Sequence, residues 1–94
     1  MEIFSQIVSR IIKEQELIIG PLAWSEAGKV PGIHIVDQAK GDVSLEGEDK
    51  KLVVDALVGQ YELLFGRASR EVCKEAAAPL IADLGPEDVP TSLR

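Results

Sequence analysis

The first eighteen residues after the initiating methionine repeat apolar side chains at helical spacing. Set at 100° per residue, Ile3, Phe4, Ile7, Val8, Ile11, Ile12, Leu17, Ile18 and Ile19 sweep an arc of roughly 220°. Glu2, Ser5, Ser9, Lys13 and Glu16 hold the remainder, and Glu14 and Gln15 interrupt the arc as polar positions. A helix lying on a single core shows a stripe of about 100–150°. The extra width predicts a helix that touches its own core and something else. Phe4, Val8, Ile11, Gln15 and Ile18 are therefore candidate interaction residues.

Gly20-Pro21 breaks the pattern, with Gly suited to the end of one helix and Pro to the first turn of the next. Residues 21–28 predict a short second helix carrying Leu22, Ala23, Trp24 and Ala27, closed by Gly28, and Pro31-Gly32 marks a turn. Residues 33–37 and 42–46 alternate with period two, Ile33 and Ile35 on one face of the first and Val43 and Leu45 inward on the second. The segment from Gln38 to Asp42 includes Gly41 and suits a hairpin loop. A two-stranded ribbon is marginal alone, so helices must cover it or another chain must extend it.

Gly47-Glu48-Asp49 opens a third helix that runs to Phe65 and stops at Gly66. It carries two apolar faces. Val53, Val54, Leu57, Val58, Tyr61, Leu64 and Phe65 fill an arc of roughly 140°. Opposite lie Leu52, Ala56, Gly59 and Leu63, spaced 4-3-4, with Lys51, Asp55 and Glu62 separating the faces on one side and Gln60 on the other. Ala and Gly in this second stripe admit close approach of another helix, and these four residues join the candidate interaction set. Ser69 is the expected N-cap of a fourth helix. Its apolar face holds Val72, Cys73, Ala76, Ala77, Leu80, Ile81 and Leu84, and Pro79 is expected to kink or restart it. Residues 86–94, with two prolines and mostly polar side chains, read as a flexible tail.

The expected fold class is a small single α+β domain over residues 1–85, in the order α-α-β-β-α-α, with an antiparallel β-hairpin covered by helices. The chain has 94 residues, of which Leu, Ile, Val and Phe make up 30. That is too apolar for a disordered chain. The net charge is −6, and the ten basic residues form no run longer than Lys50-Lys51. Nucleic acid and polybasic membrane anchoring are excluded as expectations on this ground. No apolar run approaches a membrane span, and neither a secretory leader nor a lipidation signal is recognisable. A single cysteine, Cys73, cannot form an internal disulfide, so a cytoplasmic location is expected.

Candidate chemistry is sparse. Asp42, Ser44, Glu46 and Gly47 match four positions of a calcium loop, but Val53 stands where the bidentate Glu is needed and a strand precedes it. Ala23 to Lys29 ends like a phosphate loop yet lacks its first Gly and its final Ser or Thr. His34 is the only histidine, so no metal cluster of ordinary composition can be assembled; it is read as a strand residue on the outer face of the ribbon. Cys73 sits among apolar helix neighbours and reads as packing rather than nucleophile. Arg67-Ala68-Ser69-Arg70 resembles a basic phosphorylation site, but the helix-cap reading of Ser69 explains it without a kinase. Trp24, the lone tryptophan, suits an interface or a core, and is carried as an interaction candidate.

No catalytic, cofactor-binding or metal-binding residue is assigned. The leading expectation is a non-enzymatic interaction or regulatory (adaptor) domain acting through apolar helical surfaces, as a homodimer or with a protein partner. The alternative is an apolar small-molecule carrier or sensor. Its pocket would lie between hairpin and helices, with His34, Trp24 or Tyr61 orienting the ligand.

Overall fold

The computed structural model describes residues 2–47 and 49–94. Met1 and Glu48, the latter counted above in the opening of the third helix, lie outside the described residues. The chain forms α1 (Ile3–Ile19), α2 (Leu22–Ala27), β1 (Ile33–Asp37), β2 (Asp42–Leu45), α3 (Lys50–Phe65) and α4 (Arg67–Ile81). Two 3-10 turns, Pro86–Asp88 and Thr91–Leu93, complete it. The α-α-β-β-α-α order and the antiparallel hairpin are those expected from the sequence.

Local chemistry sets the helix ends. The Glu2 carboxylate accepts hydrogen bonds from the Phe4 and Ser5 amides, satisfying donors that the first turn of α1 leaves open. Gly20, at φ +72°, ends α1 where a side chain would be strained. Asp49 caps α3 by accepting from the amides of Lys51 and Leu52, at 3.0 and 3.4 Å. In the hairpin, Ile33 pairs with Leu45 and Ile35 with Val43, which puts all four on one face. Ile33 and Val43 are buried by the helices.

Helix α1 is the centre of the molecule. It packs on α4, α2, β2 and α3. An ion pair at 3.0 Å joins Lys50 at the start of α3 to Glu2 at the start of α1. Gln15, near the end of α1, reaches Ser69 near the start of α4. So α1 and α3 run in the same direction and α4 runs back against both. On the other side, the Ser9 hydroxyl donates to the Gly41 carbonyl at 2.6 Å, fastening β2 to α1. Gly41 is required by its φ of +75°, which strains any other side chain, whereas the Lys13 side-chain end that a Cβ there would meet is free to swing aside.

Most of the wide arc of α1 is covered by the chain itself, while Leu17 and Ile18 at its C-terminal end stay exposed, so it is there that α1 keeps surface for a contact beyond its own core. Ile7, Val8, Ile11 and Ile12 are fully buried within the chain, because four elements surround the helix. Two expectations differ. Ser69 does not cap α4. Gly66, at φ +91°, turns the chain in one residue, α4 starts at Arg67, and Ser69 is buried inside it. Pro79 does not restart the helix, because it lies in the last turn and is exposed.

The segment after Gly85, read from sequence as a loose tail, is folded back onto α3 and α4. Asp55 on α3 accepts hydrogen bonds from both the amide and the hydroxyl of Ser92. Pro90 and Leu93 are buried.

Candidate functional site

The described residues contain no group of three or more His, Cys, Asp or Glu side chains placed to hold a metal ion. No described helix is long and apolar enough to cross a membrane. The surface feature that stands out is apolar. Helix α3 turns Val53, Val54, Leu57, Val58 and Tyr61 inward. Tyr61 is anchored by its hydroxyl, which donates to the Ala23 carbonyl at 2.7 Å. Burial first, then the electrostatic effects of Cys73 and Glu26, push the Tyr61 phenol well above its ordinary pKa, so it stays a neutral donor.

One half-turn away, the second stripe of α3 is left uncovered. Leu52 is 64% and Leu63 81% exposed, and Ala56 and Gly59 between them are exposed too. A 16-residue α-helix is about 24 Å long, so the stripe is a narrow ridge of apolar surface bordered by charge. On one border lie Lys51, whose ammonium donates to the Glu87 carbonyl at 3.0 Å, and Glu62, which pairs with Arg70 at 3.6 Å. On the other border Gln60 donates to Glu26 at 2.8 Å. That hydrogen bond, with Lys29 at 3.0 Å, holds the Glu26 carboxyl below its usual range. A second exposed apolar group, Leu17, Ile18 and Leu22, lies where α1 passes into α2.

The ten residues singled out from the sequence divide cleanly. Leu52, Ala56, Gly59, Leu63 and Ile18 are exposed, and Phe4 is half-buried against the core. Val8, Ile11, Gln15 and Trp24 are buried and offer no surface to a partner. Their reading as contact residues is corrected. Trp24 fills the space between α1 and α2, with its indole N–H donating to Glu16 at 2.9 Å. Gln15 lies in the seam between α1 and α4. Its amide donates to the Ser69 carbonyl at 3.0 Å and to the Cys73 sulfur at 3.4 Å, while its own Oε1 is buried without a partner. Burial pushes the Cys73 thiol up to about 11, against the lowering effect of the Gln15 hydrogen bond, so the thiol is protonated and inert at neutral pH.

His34 stands on the exposed face of β1 and meets Glu46 at 3.1 Å. Trp24 and Tyr61, expected to orient a ligand, direct their polar atoms to Glu16 and Ala23 instead. A groove of about 570 Å³ lies elsewhere, between the end of α4 and the C-terminal segment, with Ile81, Val89 and Leu93 among its walls and Arg94 at its edge. The sequence reading missed this groove because it depends on the docked tail. Composition gave no sign of that docking beyond the apolar Val89 and Leu93. Comparison with protein families, curated proteins and solved structures finds no match for this chain.

Proposed function

We propose that this protein is a non-enzymatic interaction module of the cytoplasm that works by self-association, and that α3 supplies the contact. The observation that carries this reading is the uncovered Leu52–Ala56–Gly59–Leu63 stripe, whose two leucines are 64% and 81% exposed. Fully burying one leucine is worth ~1.5–3 kcal/mol. Each copy therefore leaves ~2–4 kcal/mol unrealised at Leu52 and Leu63, and a dimer recovers about twice that. Association costs ~4 kcal/mol or more, so these two leucines alone leave at most ~4 kcal/mol, a dimer of about millimolar strength. An isologous contact suits a single stripe, since the same surface serves both copies. A regulatory or adaptor role follows from such reversible assembly.

Sedimentation from the micromolar into the millimolar range tests this. The expected result is a doubled mass that falls toward 10.2 kDa on dilution. Leu63→Glu should remain at single-chain mass throughout with an unchanged circular dichroism spectrum. A compact single chain at every concentration would refute self-association.

The groove beside Leu93 favours a second reading, an apolar small-molecule carrier, because about 570 Å³ falls within the ~300–1,000 Å³ usual for ligand sites. Native mass spectrometry separates the two. A single chain with a bound small molecule favours the carrier, and a doubled mass without one favours association.

A further inference from the structure

The α3 stripe reads the same in both directions. Leu52, Ala56, Gly59 and Leu63 are spaced 4-3-4, with leucine at both ends and a small residue at both inner positions. We infer that two copies pair α3 against α3 antiparallel about a two-fold axis, Leu52 of one beside Leu63 of the other and Ala56 beside Gly59. This deepens the self-association reading and rests on it.

Three observations carry the geometry. First, an antiparallel pairing lets this pattern match itself, with large residues at the ends and small ones at the centre. The small centre brings the helix axes toward the short end of the ~8–10 Å range, and the end leucines then close over the gap. Second, Lys51 and Glu62 are eleven residues apart, which at 100° per residue puts them within about 20° of each other on one flank. A two-fold axis perpendicular to both helices sets that flank against itself reversed. Lys51 of each copy then faces Glu62 of the other, twice per dimer. Parallel pairing would set this flank against the Gln60 flank of the other copy and leave Lys51 and Glu62 without a crossed partner. Third, the side chains of this border are already held by their own chain. Glu62 is paired with Arg70, Lys51 lies on the Glu87 carbonyl and Asp55 is engaged by Ser92. The border is ordered before contact, and the crossed charges serve orientation more than affinity.

Single-cysteine variants test the register in the full chain. Leu52→Cys and Leu63→Cys replace exposed side chains, and the native Cys73 is fully buried and does not compete. In the antiparallel pair, two copies of position 52 lie ~16 Å apart along the axis, beyond the reach of a disulfide. Oxidation of an equimolar mixture should therefore give the mixed cross-linked dimer at least ten-fold in excess of either variant oxidised alone. As a second check, Lys51→Glu should weaken the dimer severalfold, and Lys51→Glu with Glu62→Lys should restore it. If Leu63→Cys alone cross-links as readily as the mixture, or no combination cross-links although the unaltered protein doubles its mass, the antiparallel register is wrong and self-association stands. If the unaltered protein never doubles its mass, both fall.

Discussion

Helices α1 and α3 both carry more apolar surface than a helix resting on one core requires, and the fold treats the two surpluses in opposite ways. On α1 the surplus is one continuous arc, and the chain wraps it except at its C-terminal end, where Leu17 and Ile18 stay exposed. Helix α4, helix α2, strand β2 and helix α3 lie around it, and Ile7, Val8, Ile11 and Ile12 are sealed from water. On α3 the surplus is a separate stripe, cut off from the buried face by Lys51, Asp55 and Glu62 on one border and Gln60 on the other. Those polar side chains are tied to neighbouring elements, so nothing of the chain can cross them to reach Leu52 and Leu63. A broad single arc thus marks a helix in the middle of its own domain. Two arcs divided by anchored charge mark a helix with one face left outside.

Truncations at matched positions should break the symmetry between the helices most visibly. Ile11→Ala opens a cavity in the sealed centre and is expected to cost ~2–5 kcal/mol, a large share of the ~5–15 kcal/mol typical of a whole domain. Chemical denaturation should show the midpoint falling with an unchanged slope. A loss below about 1 kcal/mol would mean that α1 is not enclosed as described. Gln15→Leu sharpens the same point at the largest buried polar side chain of α1. The substitution removes a buried acceptor that has no partner, along with two hydrogen bonds donated to Ser69 and Cys73. The opposing terms should leave stability within ~1 kcal/mol of the parent, on the stabilising side. A loss above 2 kcal/mol in thermal unfolding would show that the Ser69 contact matters more than the orphaned oxygen costs. Leu63→Ala should be the gentlest for the single chain, within ~0.5 kcal/mol, while weakening the dimer measurably in the same sample. An equal loss in both measurements would place Leu63 in the core instead.

Most of the architecture was legible because its punctuation is local. Gly20-Pro21, Asp49 and Gly66 fall at helix ends, and the alternation of Ile33, Ile35, Val43 and Leu45 is that of a one-sided hairpin. What was not legible depends on contacts far apart in sequence. Nothing near Ser92 announces that Asp55, thirty-seven residues earlier, will hold it, so the tail read as loose. Ser69 has the side chain of a cap, but Gly66 turns the chain so tightly that the helix begins before it. The second stripe of α3 was legible as a stripe. That it would stay bare, while most of the wider arc of α1 would not, depended on which helix took the central place. The hydrophobic period does not state that by itself.

The seat of Trp24 has a practical corollary. The chain has one indole, it is 3% exposed and its N–H is committed to Glu16. Its fluorescence therefore follows the integrity of the α1–α2 junction and little else. An observer watching emission wavelength would see the protein melt but would not see two intact copies part, so light scattering and fluorescence together resolve separation from unfolding without a label.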